Sequence, residues 1–319
     1  MPDAKPANEL LDPEAIGRAE ALGLAARFIV EGYMSGEHKS PFRGFSVEFT
    51  QHREYVSGDD TRHLDWKVLG RTDRYYLKQY EQETNFVAHI LLDGSESMRY
   101  GSGQSGGGKS AVKSGTVATS TLNKFQYGKV LAAALSYLIL HQRDAVSVGI
   151  FDSSVRSHVP RTGNMASVHA IMSRLAAFDP VGQTGIGSIL HEMAGQIRRK
   201  GIVILISDLF DDERAIQDGL QHLRFGGHEV IVFHVMDPFE LEFPFGGMVE
   251  FDGLEREGIV KTAPAEVRKS YLREVEEFRR RIVDTCEKHR SHYVLANTVN
   301  PLHELLGGYL AFRRRTTTR

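Results

Sequence analysis

The sequence predicts an α/β protein built on a doubly wound, mostly parallel sheet of the Rossmann type, preceded by an N-terminal helix and a small β element. Three observations carry this expectation. Apolar strand-like runs alternate with helix-length stretches from Phe86 to the C-terminal end, the order that produces parallel strands joined by crossover helices. Ile202-Val203-Ile204-Leu205-Ile206 is apolar at every position, as a central strand covered on both faces must be. Two of the strand-like runs end in carboxylates, Asp93 and Asp208, at the edge where such sheets gather their functional groups.

The elements follow in order. Pro13 to Tyr33 carries Ile16, Ala19, Leu22, Leu24, Ala25, Phe28 and Ile29 at helical spacing behind Asp12, a good N-cap. From Phe42 to Tyr80 the pattern becomes short β-like runs, Phe45 to Phe49 and Tyr75 to Tyr80, around a polar turn at Ser57-Gly58-Asp59-Asp60. Residues 1–83 therefore form a helix and a β-rich element, and 84–319 the main domain. There, strands are expected at Phe86–Leu92, Val146–Phe151, Ile202–Ile206, Glu229–Val235 and Tyr293–Ala296. Helices are expected near Phe125–His141, Ala166–Ala177, Gly187–Arg199, Glu213–Phe225, Pro264–His289 and Pro301–Arg313. A Gly/Ser/Thr-rich insert spans 100–121.

With 39 Lys and Arg against 41 Asp and Glu, the chain has no net field that would steer it onto nucleic acid or an anionic membrane. No stretch reaches the roughly 18 apolar residues of a membrane span, and the first residues lack the apolar core of a secretion signal. The single Cys286 excludes an internal disulfide. The expected location is the cytoplasm.

The first strand ends in Asp93-Gly94-Ser95-Glu96-Ser97, a carboxylate and two hydroxyls within one tight turn. Gly182-Gln183-Thr184-Gly185 offers a third hydroxyl at a helix start, and Ser207-Asp208 a second strand-end carboxylate. Three hydroxyls and two carboxylates form a hard, all-oxygen set that suits Mg²⁺ or Mn²⁺ and not zinc. With so few charged ligands the ion would keep waters and leave a position open for a carboxylate from another protein.

Asp93, Ser95, Ser97, Thr184 and Asp208 resemble, position for position, the metal-ion-dependent adhesion site of von Willebrand factor A domains. The segments Gly44 to Glu48, Arg53-Glu54-Tyr55, Gly58-Asp59-Asp60-x-Arg62-x-x-Asp65-Trp66-Lys67 and Leu305 to Arg313 resemble the family called domain of unknown function fifty-eight. That resemblance covers nearly the whole chain. It implies a von Willebrand factor A-like domain and a cytoplasmic partner of a MoxR-type AAA ATPase, acting in chaperone-like assembly or activation without being an enzyme. The insert at 100–121 departs from the family pattern.

Other patterns read more plainly. Gly103 to Ser110 fits the P-loop formula, but its strand ends ten residues earlier and no good helix follows the lysine. Gly103-x-Ser105-x-Gly107 mimics a nucleophile elbow without a strand to feed it. A phosphatase using Asp93 as nucleophile would want an acid two residues on, where Ser95 stands. A metal-dependent phosphate-ester hydrolase is nonetheless the alternative function. Cys286, His289 and His292 lack a fourth zinc ligand and read as packing and capping. The helix Glu266 to Arg281 reads as a solvated, ion-paired face, Gly58-Asp59-Asp60 as a turn, and Trp66 as a core anchor. Arg53, Arg62 and Lys67 suggest ion pairs around those acids.

Overall fold

Five parallel strands and one antiparallel edge strand form the sheet on which this computed structural model is organised. The structure describes residues 21–27, 29–30, 48–55, 65–81, 87–103, 120–198, 200–255 and 258–317. Two units divide the chain, one comprising 1–39 and 87–319, the other 40–86.

In the smaller unit, β1 (Glu48–Glu54) pairs antiparallel with β2 (Tyr76–Glu81), and α1 (Trp66–Thr72) lies between them in sequence. Asp65 anchors the start of α1, its Oδ1 accepting from Val68 N at 3.3 Å. Trp66 corrects the sequence expectation of a core anchor: at the first position of α1 it stands 66% exposed. The ion pairs expected around Asp59, Asp60 and Arg62 lie outside the described residues.

The larger unit holds β3 (Val87–Asp93), β4 (Ala145–Phe151), β5 (Val155–Thr162), β6 (Ile202–Ser207), β7 (Glu229–Met236) and β10 (His292–Asn297), in the spatial order β10-β7-β6-β3-β4-β5. From β3 the chain builds outward through β4 and β5, then returns to add β6, β7 and β10 on the other side. Between β3 and β6 the winding reverses, and such a switch point opens a crevice at the carboxyl ends of the strands.

Period-two alternation assigns the two faces of β3 and β6. Leu92 and Ile206 point to α2 (Lys124–His141), where Gly128 lets the helix close in: a Cβ there would come within 2.8 Å of Leu92. Leu91, Val203 and Leu205 join the opposite layer with α4 (Ile186–Gln196), α5 (Glu213–Phe225) and the C-terminal half of α7 (Pro264–Lys288). Each fully buried Leu or Ile contributes roughly 1.5–3 kcal/mol, so the run Ile202–Ile206, buried throughout, anchors the middle of the core. Beside α2 packs α3 (Val168–Ala177), and Gly23 of the helical stretch at 21–27 faces Met172 on it. On the α2 side, Tyr309 of α8 (Leu302–Thr317) meets Phe233 edge-on.

Most expected elements stand within a few residues of their predicted ends, α5 at the predicted residues. The antiparallel β5 and the hairpin of β8 (Val249–Asp252) and β9 (Ile259–Thr262), which follows the short α6 (Pro238–Glu242), were not expected. β8 and β9 have only four residues each, and β5, though eight residues long, carries few apolar ones (Val155, Val159 and Pro160), so their hydrophobic pattern is faint. On α7 the expected i, i+4 pairing is met by Arg273 and Glu277 at 4.0 Å; Arg279 pairs with Glu276 at i, i+3, 2.9 Å, and Arg281 reaches across to Glu213 of α5 at 2.8 Å. Cys286 is buried in the core, and burial pushes its thiol up to about 12. Among the described residues no three His, Cys, Asp or Glu side chains gather as a metal site, His289 and His292 included.

Candidate functional site

Asp93 is the last residue of β3. Because Leu92 pairs with Ile206 across the switch point, Asp93 and Ser207 fall side by side, and Ser207 Oγ donates to Asp93 Oδ2 at 2.6 Å. Just beyond β3, Ser95 N donates to Asp93 Oδ1 at 2.9 Å. Gly94 is required here, since a Cβ would stand 2.6 Å from the Phe178 ring. A 3₁₀ turn, Glu96–Arg99, then brings Ser97 Oγ within 3.0 Å of Ser95 Oγ.

The loop carrying Thr184 is sewn to this turn by backbone hydrogen bonds from Val181 N to Gly94 O and from Glu96 N to Gly182 O, both 2.9 Å. Gly182 supplies the positive φ of 75° that the stitch needs. Arg99 adds a third tie, its guanidinium donating to Pro180 O. So held, Thr184 Oγ1 donates to Asp93 Oδ2 at 3.2 Å. Asp208, one residue past β6, accepts from Phe210 N and touches the Ser97 hydroxyl. All five residues singled out in the sequence therefore converge on one crevice.

Three more charged side chains, invisible in the sequence pattern, enter the same crevice. Lys124 opens α2, positioned by the capping box of Asn123 and Gln126. Its Nζ, buried, donates to Asp208 Oδ2 at 2.7 Å and to Glu240 Oε1 at 2.8 Å. Glu240 Oε2 in turn accepts from Asp237 N. Glu255, between β8 and β9, accepts from Ser97 N at 3.4 Å and from Thr184 N at 3.3 Å. A cavity of about 730 Å³ opens beside them, with Tyr100, Lys124, Asp208, Glu255, Tyr271 and Phe278 in its wall.

The electrostatics are uneven. Burial alone would lower the Lys124 pKa, but Asp208 and Glu240 reverse this and hold the ammonium well above the usual lysine range. Burial raises Asp208, yet Lys124 overrides it and keeps that carboxylate ionised. Asp93 has no such help. Burial first, then the Asp208 charge, push it up to about 7, because its donors, the Ser95 amide and the Ser207 and Thr184 hydroxyls, are all neutral. A buried carboxylate answered by neutral groups, ringed by hydroxyl oxygens, is chemically suited to a hard divalent cation.

The root of the 100–121 insert is ordered against the end of β7. Ser102 donates from N and Oγ to Asp237 Oδ2, both at 3.0 Å. Ser120 N donates to Ser102 Oγ at 3.3 Å, so the chain leaves at 103 and returns at 120 through one point. The P-loop-like residues 104–110 lie outside the described residues, but the elements around them are plain: β3 ends at Asp93 and α2 begins at Lys124.

Residues 51–281 match the sequence profile of the family described as protein of unknown function DUF58. The chain belongs to this family. Uncharacterized proteins of Mycobacterium bovis and of two Mycobacterium tuberculosis strains are 24% identical to this DUF58 chain over 255 residues, covering 78% of it and 74% of each relative. Among solved structures, the conserved hypothetical protein BatB of Bacteroides thetaiotaomicron is similar at 16% identity and a TM-score of 0.44. An aerotolerance-related membrane protein of Bacteroides fragilis gives 16% and 0.43. Each alignment spans 72% of the DUF58 chain and 99% of the other. No helix among the described residues is long and apolar enough to cross a membrane.

Proposed function

We propose that this chain is a protein-binding module of the von Willebrand factor A-like kind, whose carboxyl-edge crevice takes up Mg²⁺ or Mn²⁺ and uses it to hold a partner. Asp93, Ser95, Ser97, Thr184 and Asp208 would hold the ion. One observation carries the reading: at the switch point, hydroxyls from two separate loops meet a fully buried carboxylate that has only neutral donors. The ion's role here is electrostatic, neutralising Asp93 and attracting a further carboxylate from outside. The partner supplies that acidic residue, and the family resemblance points to a MoxR-type AAA ATPase or its client.

The hydrolase alternative finds less support. Ser95 stands where a phosphatase acid would be, and the ammonium in contact with Asp208, that of Lys124, is locked to two carboxylates and gives up its proton too reluctantly for general acid work near neutral pH.

Calorimetric titration tests the reading directly. The wild-type chain should bind Mg²⁺ and Mn²⁺, and Asp93→Ala should bind neither while keeping its far-UV circular dichroism; unchanged affinity in the variant would sink the assignment. Capture of a MoxR-type ATPase should be lost in EDTA, restored by Mg²⁺ and abolished by Thr184→Ala.

A further inference from the structure

Glu255 reaches the crevice from a different part of the chain than any other residue in it. The β8–β9 hairpin is rooted in an aromatic cluster, with Phe251 stacked on Phe243 at 5.6 Å and Phe243 against Tyr271 at 4.3 Å. Beyond that root its outer face is bare: Ile259 and Val260 are each about 60% exposed, and Leu254 is 42% exposed. The next residue, Glu255, is by contrast only 7% exposed. Its carboxylate accepts from the amides of Ser97 and Thr184, and its own carbonyl accepts from Gln183 Nε2 at 2.9 Å. The two amides belong to two of the proposed cation-holding residues. Ser97 and Glu255 itself line the 730 Å³ cavity, through which a partner's acidic side chain would have to enter.

We propose that Glu255 is an internal stand-in for the partner's carboxylate, so that the β8–β9 hairpin holds its own binding face shut until an acidic segment of the partner displaces it. This rests on the reading of the crevice as a partner-binding site. It also defines what displaces the hairpin: a Glu-bearing loop whose carboxylate takes the Ser97 and Thr184 amides and whose main-chain carbonyl takes Gln183. A tethered group acts at an effective concentration on the order of 1 mM. If its own dissociation constant is about 0.1 mM, it weakens any competing ligand about tenfold.

The hairpin supplies its own probe. A fluorescently labelled peptide copying residues 249–262 should bind the full-length Glu255→Ala chain in Mg²⁺ about tenfold more tightly than it binds wild type. The same peptide carrying the Glu255→Ala change should bind neither. Glu255→Gln keeps the shape and a neutral acceptor for the two amides; it covers the case in which Glu255→Ala does not fold, and should show a smaller gain. If neither variant binds the peptide better than wild type, the internal-ligand proposal is overturned, and it falls alone if calorimetry still shows Mg²⁺ binding. If the gain appears equally in EDTA, the hairpin is a competitor as proposed and the cation reading fails instead.

Discussion

Lys124 sets the character of the crevice at the scale of single residues. Its ammonium sits between Asp208, buried with it, and Glu240, whose side chain is 23% exposed, and breaking a buried pair from one side leaves uncompensated charge behind. Lys124→Met should therefore destabilise the chain by about 3–5 kcal/mol in urea unfolding without metal; a loss under about 1 kcal/mol would mean that both carboxylates find other cations. Asp93 is the opposite case, a buried carboxylate whose donors are all neutral, which is why the proposed ion is centred on it, Asp208 already sharing its charge with Lys124. Ser207 was missed in the sequence for a simple reason: it is a strand residue whose hydroxyl matters only because the β3–β6 register sets it beside Asp93.

Among the elements, the insert and the hairpin make opposite demands. The insert closes on itself at its root. Ser120 is buried, with its hydroxyl donating to Leu122 O and Thr298 O, so it is part of the fold and must be kept. Deleting 104–119 and bridging Gly103 to Ser120 with a short glycine linker should leave the melting temperature within about 2 °C and Mg²⁺ affinity unchanged. A collapse of either would show that the insert carries structure of its own. The deletion must stop short of 120, because removing Ser120 would take away the hydroxyl that sits against Thr298 O in a buried contact. The hairpin closes over the crevice, and no spacing in the sequence announces it, since Glu255 is one of three acids close together in the sequence, with Asp252 and Glu257, and nothing local marks it out.

At the scale of the whole molecule, pH acts through groups outside the crevice as well as within it. His89, on β3, is held neutral by burial first and by the nearby His228, His158 and Arg161, which bring its pKa down to about 4; its Nδ1 lies 2.7 Å from Ser147 Oγ. The unfolded chain, with an ordinary histidine near 6.5, takes up that proton more readily than the folded one. The contribution of His89 to stability is thus complete above pH 6.5 and is lost as pH falls from 6.5 toward 4. Burial acts in the opposite direction on Asp93, Glu240 and Glu255, whose pKa values are raised, so the total pH profile mixes both signs. The His89 share is isolated by difference: His89→Gln should lose less stability than wild type between pH 6.5 and 4 in urea unfolding, and parallel curves would show that His89 titrates normally.

The sequence by itself determined the layer architecture, because strand and helix periods and all-apolar runs such as Ile202–Ile206 admit few other ways to bury their surface. It also named the five oxygen-bearing residues that meet in the crevice: Asp93 and Asp208 stand at strand ends, Ser95 and Thr184 beside glycines, and Ser97 two residues on in the turn that Ser95 begins. The antiparallel β5, the hairpin, and the partners of Lys124 and Glu255 were decided only by the tertiary structure. Lys124 is 84 residues from Asp208, and Glu255 is 158 from Ser97. A charge gains meaning from what it meets in the folded state, and over such separations only the folded chain fixes that meeting: local pattern encodes which face of an element is apolar, not which lone carboxylate or ammonium will share a crevice.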